Sequence, residues 1–287
     1  MNNELIKLLR CSSCKNKLKQ EKDFLVCTSC NSSFKITEGF ADMVPSELDY
    51  DIKKVIDSWE NISFDYDDFI LHSPPERLQK IDKPLIDLCI DGGTVLDVGC
   101  GTARVRKEVI KHGSTYVGID PSIKMLKNGQ KKGEGFLIRA VAECLPFPDN
   151  HFDNIIGCYH SFRYINLEKG FPECARVLKT GGILAFTLWN HWSLELNEFI
   201  VKIKNLKIPN INFSPNKNGC CNDVIWALNE TKKLEKFGFE VQSIISTTKL
   251  PLRKLPYINR VLREDNYLNG PIGALMGYDI IFICKKL

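Results

Sequence analysis

No run of apolar residues in this 287-residue chain approaches the roughly 20 that a membrane-spanning helix requires, so the sequence offers no candidate span. The start, Met1 to Arg10, lacks a secretory h-region and a small-residue cleavage site. Its apolar stripe is broken by Glu4, Lys7 and Arg10 and leads straight into a cysteine pair. A cytoplasmic protein is expected. There is no internal repeat and no extended low-complexity tract. A strong charge of one sign is missing too: 39 basic against 35 acidic residues leave a net charge of +4. That balance permits contact with nucleic acid without arguing for it, because a dedicated binder shows a concentrated basic face.

What is present is an ordinary globular composition, 44% hydrophobic and 26% charged, in a chain long enough for one large domain and a small appendage. Twelve cysteines could suggest a disulfide scaffold, but four are clustered as pairs and eight are scattered through strand-like and helix-like segments. Metal binding plus reduced core thiols is the better fit. From Leu9 to Val44 the chain reads as a small loop-and-hairpin module. An acidic stretch with Trp59, Phe64, Tyr66 and Phe69 interleaved then reads as a linker helix and loop, and a further helix runs from about Glu76 to Ile90.

After Asp91-Gly92-Gly93 strand and helix signals alternate. Strands are expected at Thr94 to Val98, Thr115 to Ile119, Gly135 to Ala140, Phe152 to Cys158 and Ile183 to Leu188. Helices are expected at Ala103 to His112, Ser122 to Lys131 and Glu168 to Leu178. This alternation predicts an α/β fold: a mostly parallel sheet with helices on both faces. Helices near Leu194 to Lys204 and Val224 to Phe237, and strands at Phe239 to Thr247 and Asp279 to Cys284, complete it.

The most informative segment is Val95-Leu96-Asp97-Val98-Gly99-Cys100-Gly101-Thr102-Ala103, a buried strand that ends in a glycine turn and opens a helix. Without Cβ atoms the backbone can approach a ligand closely, and ligands of open α/β sheets bind at the carboxyl ends of strands. Asp120, 23 residues after Asp97 and at the end of the second strand, can accept both hydroxyls of a ribose. A dinucleotide fold shares these features, but its third glycine is replaced here by Arg104, and Asp97 would repel a pyrophosphate while favouring an ammonium or sulfonium group.

These residues resemble the class I S-adenosylmethionine-dependent methyltransferases of the type 11-like group, with a Rossmann-like, seven-stranded, mostly parallel sheet. The likeness continues through Tyr116 to Ser122, Ala142 to Phe147 and Ala175 to Gly182, and covers about Lys80 to Leu188. It implies that Asp97, Gly99 and Gly101 border the methionine part of S-adenosylmethionine, that Cys100 of the same turn contacts the cofactor, and that Asp120 holds the ribose. It further implies that Ile119 and Ile123 flank the adenine, that Ala142 and Glu143 meet its edge, and that Pro121 and Cys158 lie at the cofactor site. Where many relatives have an aspartate before Ala142, this chain has Val141, so adenine contact rests on backbone groups.

Cys11-x-x-Cys14 and Cys27-x-x-Cys30, twelve residues apart, have the spacing of four thiolates delivered to one tetrahedral zinc ion from two turns. With no open position the Zn2+ would be structural. The run from Leu8 to Pro45 is similar to the zinc ribbon that precedes some methyltransferase domains, including those of ribosomal RNA guanine-N1 methyltransferases. The expected division is a ribbon over 1–45, a linker or lid over 46–75 and the S-adenosylmethionine-dependent domain over 76–287.

The acceptor is expected beyond the fourth strand, in Cys158 to Tyr164. His160 is a candidate base, Tyr159 an acceptor orienter and Arg163 an anion clamp; the alternatives are a satisfied loop histidine, a packing tyrosine and a solvated charge. His191 is a second candidate base, and Tyr66 is the candidate aromatic contact from the lid. No Asp/Asn-Pro-Pro-Tyr string follows the fourth strand, against amino-group methylation of that type, and no Pro-Cys pair stands where a cytosine-C5 nucleophile would. A small-molecule acceptor is expected. RNA is the alternative, favoured by the ribbon and by Lys249, Arg253, Lys254, Arg260 and Arg263. A catalytically idle binding protein of the same fold, and more remotely a nicotinamide dehydrogenase, also stay open.

Overall fold

The computed structural model describes residues 1–48, 50–62, 75–133, 135–189, 227–246, 268–269 and 279–287. Strands β5 (Thr94–Val98), β6 (Thr115–Asp120), β7 (Phe136–Arg139), β8 (Phe152–Gly157) and β9 (Leu178–Trp189) are parallel neighbours. Their apolar runs are buried almost without interruption, as expected of strands covered on both faces. Two longer strands follow: β12 (Asp279–Lys286) pairs antiparallel with β9, and β10 (Phe239–Ser246) pairs antiparallel with β12. With these seven strands and a two-residue edge strand, β11 (Leu268–Asn269), the sheet order is β11-β10-β12-β9-β8-β5-β6-β7.

The chain leaves β5 toward β6 and β7 on one side and returns to β8 on the other. The point where the order reverses, at the carboxyl ends of β5 and β8, is where open α/β sheets form a crevice. Helices α3 (Pro75–Cys89), α4 (Arg106–Lys111), α5 (Ile123–Gln130), α6 (Leu167–Val177) and α7 (Ala227–Lys236) accompany the sheet. On α6 the buried residues Leu167, Gly170, Phe171, Cys174 and Val177 make a helical stripe. Phe162, Phe186 and Phe282 stack across the sheet with centroids 4.7 and 5.1 Å apart. Gly157 leaves the space for Phe162, whose ring lies 2.2 Å from where a Cβ would stand.

Among the described residues, two boundaries differ from expectation by three residues or more. Helix α4 starts at Arg106 and not Ala103, because Ala103 adopts a left-handed backbone with φ 50 that a right-handed helix cannot include. Strand β9 starts at Leu178 and not Ile183: Thr180-Gly181-Gly182 forms a bulge, with Phe152 opposite Leu178 and Asn154 opposite Ile183. The helix expected at Leu194 to Lys204 lies outside the described residues.

The N-terminal part begins with a short helix, α1 (Asn3–Leu8), followed by an antiparallel meander of β1 (Leu18–Glu21), β2 (Phe24–Cys27), β3 (Ser33–Thr37) and β4 (Phe40–Ala41). It packs against the outer edge of β7: Asp42 bridges to Arg139 in parallel, the Met43 amide donates to the Arg139 carbonyl (2.8 Å), and Arg139 pairs with Asp42 (2.7 Å). This covers a sheet edge that would otherwise expose unpaired backbone. Leu5, Leu9, Leu25 and Met43 join Ile138, Phe147 and Phe152 in one buried cluster, so meander and sheet share a core.

Candidate functional site

The turn after β5 is built around backbone that approaches its neighbours closely. Gly99 (φ 71) and Gly101 (φ 53) are left-handed, and the amides of Gly99 and Cys100 both donate to the Ile119 carbonyl at 2.9 Å. A Cβ on Gly99 would stand 2.6 Å from Cβ of Ser161, whose hydroxyl donates to the Val98 carbonyl (2.7 Å) and ties the β8 loop to the turn. Gly99→Ala is therefore expected to cost about 1–2 kcal/mol from its backbone alone, plus the displacement of Ser161. A lower urea midpoint checks this.

Two carboxylates face the turn. Asp120 accepts from the Gly101 amide on one oxygen and the Ser122 amide on the other, both at 2.9 Å. Each oxygen keeps a further lone pair for a ligand hydroxyl. Asp97 is 1% exposed; one oxygen accepts from the Tyr116 hydroxyl at 2.7 Å, and Oδ1 has no hydrogen-bond partner. Burial raises Asp97 from 3.8 to about 7, against the Tyr116 hydrogen bond and the charge of Arg104. Burial likewise raises Asp120 to about 6, against its two backbone donors. An orphaned buried carboxylate oxygen suits a ligand ammonium group, and a two-oxygen carboxylate beside an open glycine turn suits a ribose.

These shifts set a pH dependence. A carboxyl whose pKa is higher folded than unfolded holds its proton more tightly when folded, so its contribution is present at low pH and lost as pH rises from 3.8 through about 6 for Asp120 and about 7 for Asp97. A cationic ligand reverses the preference by favouring the ionised form. Stabilisation by a ligand that sets an ammonium group against Asp97, read as a melting-temperature increment, is expected to be largest above pH 7 and to shrink toward pH 5. An increment independent of pH would contradict the pairing with Asp97.

These groups open into a cavity of about 610 Å3, a size typical of small-molecule sites. Helix α2 (Tyr50–Ile62) forms one wall through Ile52, Val55, Ile56 and Trp59, one face at i, i+3, i+4, i+7 spacing. It is held there by Glu60, which accepts from the Ile123 amide at 2.6 Å, and by Trp59 packed edge-on to Tyr164 at 5.3 Å. Ala140 to Glu143 form the opposite wall, and Glu143 accepts from the Asn166 amide at 2.7 Å. The β8 loop closes the far end. Tyr159 (φ 50) and His160 (φ 61) are successive left-handed residues, a costly arrangement that the surrounding structure must hold. Tyr159 N donates to Asp82 (3.2 Å) and His160 N to the Thr187 hydroxyl (2.7 Å). Arg104 pairs with Asp82 at 2.6 Å and lies over the Tyr159 ring.

Of the residues expected from sequence, Asp97, Gly99, Cys100, Gly101, Asp120 and Pro121 line this cavity from the β5 and β6 side. Ala142 and Glu143 line it from the opposite wall, and Cys158, Tyr159, His160 and Arg163 from the β8 loop. Ile119 lines it too, whereas Ile123 does not; its amide is engaged by Glu60, and Met125, two residues on, lines the cavity instead. Tyr66 and His191 lie outside the described residues. The expected linker or lid segment does supply a wall, through α2, but sequence reasoning did not name Ile52, Val55, Ile56 or Trp59 as its lining. It also missed Ser161, and took Arg104 only as a missing glycine.

The four N-terminal cysteines converge. Their sulfur atoms all lie within 4.8 Å of one another, with Cys11–Cys30 at 3.6 Å and both Cys14–Cys27 and Cys14–Cys30 at 3.4 Å. Tetrahedral zinc with bonds of about 2.3 Å needs sulfur separations of about 3.8 Å. The amides of Ser29 and Cys30 donate to Cys27 Sγ, and the residue after each second cysteine, Lys15 or Asn31, is left-handed (φ 59 in both). The donor set fits a closed structural metal site. No helix of the described residues is long and apolar enough to cross a membrane.

Comparison with known proteins bears on this geometry. A family model described as a methyltransferase domain matches residues 96–186. An uncharacterised protein of Methanocaldococcus jannaschii is 37% identical over 105 residues, 37% of this chain and 40% of that protein. This chain thus spans less than half the length of that relative. A malonyl-[acyl-carrier protein] O-methyltransferase of Buchnera aphidicola is 27% identical over 252 residues, covering 81% of this chain and 97% of its own. Among solved structures, a Thermotoga maritima SAM-dependent methyltransferase, described as a possible histamine N-methyltransferase, superposes with a TM-score of 0.59. Its identity is 18%, over 80% of this chain and 98% of its own, a likeness of fold.

Proposed function

We propose that the protein, whose residues 96–186 match a model of a methyltransferase domain, transfers a methyl group from S-adenosylmethionine to a small-molecule acceptor. One observation carries the proposal: Asp97, the Gly99–Gly101 turn and Asp120 converge with the β8 loop in a single cavity at the switch point of the sheet. In this reading Asp97 Oδ1 receives the ligand ammonium group, Asp120 the ribose hydroxyls, and Ala140 to Glu143 the adenine edge through backbone groups. Bound there, S-adenosylmethionine supplies a methyl group activated on a sulfonium centre. The chain positions the acceptor for in-line attack, and His160, beside Tyr159 at the far end, takes a proton where the acceptor must lose one. The cavity is walled by α2, and its size suits a metabolite better than an exposed RNA base. The Buchnera relative is likewise named for an acceptor that is not nucleic acid. Residues 1–45 would hold a structural zinc ion through Cys11, Cys14, Cys27 and Cys30.

The test is to incubate zinc-loaded protein with methyl-labelled S-adenosylmethionine and, in parallel, a metabolite extract or total RNA. Label is expected in the small-molecule fraction and lost with His160→Ala where the acceptor is protonated. Label in RNA alone would replace this acceptor class.

A further inference from the structure

The Cys11–Cys14 turn reaches the wall on which the adenine is proposed to rest. Ala142–Cys144 is a single 3-10 turn whose Ala142 and Glu143 line the cavity, while Cys144 and Leu145 face the cysteine turn on the other side. Cys144 Sγ lies 3.3 Å from the Ser12 carbonyl, inside the Cys-x-x-Cys turn, and the Arg10 amide donates to the Pro146 carbonyl at 2.9 Å. Lys15, next to Cys14, extends its ammonium group to the Leu145 carbonyl (3.3 Å) and to Glu173 (3.0 Å). The same Glu173 oxygen accepts from the Leu145 amide at 2.7 Å, and Arg176 closes the network by donating to the carbonyls of Leu145 and Phe147 at 2.9 and 2.8 Å. Both backbone groups of Leu145 are thus held by charged side chains, one of them supplied by the cysteine module.

We propose that Lys15 is a positioning residue for cofactor binding: set by the Cys11–Cys14 turn, it fixes Leu145 and through it the Ala142–Glu143 wall of the cavity. The inference rests on the cofactor reading of that cavity. Lys15 touches no part of the cavity itself, so its effect passes through Leu145, Cys144 and the 3-10 turn. Charge-assisted hydrogen bonds in partly buried settings are among the stronger ones available for such a task. On the cavity side the turn is held by buried Ala142 and by Glu143, which accepts from the Asn166 amide at 2.7 Å; Leu145 is its anchor on the side of the cysteine turn.

Calorimetric titration with S-adenosylhomocysteine on the full zinc-loaded chain tests this in wild type, Lys15→Met and Lys15→Arg. Methionine keeps the apolar stem and removes the charge; arginine keeps the charge. Lys15→Met is expected to weaken binding about tenfold with one zinc per chain and cooperative melting retained. Lys15→Arg is expected to restore most of the affinity. A lysine that merely packs would give the reverse, with Met tolerated and Arg not. Equal affinity in all three proteins overturns the proposal, as does loss in Lys15→Met that Arg fails to rescue. If Lys15→Met loses its zinc, Cys144→Ala, which removes the contact with the Ser12 carbonyl, takes its place with the same expected weakening, and wild-type affinity overturns the proposal. Absence of binding by the wild type is a separate outcome, which removes the cofactor reading itself and this inference with it.

Discussion

Replacing Cys11 with serine, or stripping the four-cysteine site with a strong chelator, is expected to lower the melting temperature by more than about 10 °C. Apparent binding free energies of structural zinc are on the order of 10 kcal/mol, and in domains of this size each kcal/mol lost corresponds to roughly 2–4 °C. The effect should not stay local. Leu9, Leu25 and Met43 of the cysteine module share a buried cluster with Ile138, Phe147 and Phe152 of the sheet, and Met43 and Asp42 cover the edge of β7. Unfolding the module would expose apolar surface on both sides and leave Arg139 without Asp42. Differential scanning fluorimetry with and without chelator reads the shift. A transition unchanged by chelation would mean that the thiols hold the module without metal.

Asp120→Ala is expected to weaken S-adenosylhomocysteine binding by about 100-fold or more. Two charge-assisted hydrogen bonds to ribose hydroxyls, at roughly 1.5–3 kcal/mol each, convert to that range. The substitution also releases the Gly101 and Ser122 amides, which the carboxylate now holds at 2.9 Å, so part of the loss comes from a loosened turn. Asp120→Asn separates the two effects: its one remaining carbonyl oxygen can serve one amide but not a pair of hydroxyl donors. Without ligand the Asn variant should still melt cooperatively, at a somewhat lower temperature, because its amide nitrogen faces one of the two backbone donors that the carboxylate now satisfies. Weak binding in a variant with an intact melting transition is the expected signature.

Much of this was legible in the sequence because the signals are local. Buried parallel strands read as continuous apolar runs, which is why Thr94–Val98 was placed to the residue. The glycine turn and Asp120 lie at the ends of adjacent strands, so strand placement alone brought them together. What escaped was either conformational or distant. A left-handed Ala103 delays α4, and the Thr180-Gly181-Gly182 bulge hides the start of β9, since both look like ordinary residues of a turn. The docking of the cysteine module on β7 depends on pairs such as Asp42 with Arg139, 97 residues apart, and Lys15 with Glu173, 158 apart. No periodicity encodes such separations. The amphipathic face of α2 was visible, but only the folded chain turns Ile52, Val55, Ile56 and Trp59 toward the cavity.

Calorimetric titration of the wild-type, zinc-loaded protein with S-adenosylhomocysteine, and separately with NADH, tests the central assignment of the cavity most directly. Saturable one-to-one binding of S-adenosylhomocysteine, with no heat from NADH, is the predicted result. No binding of S-adenosylhomocysteine would contradict the enzyme reading and leave a binding protein built on a methyltransferase fold.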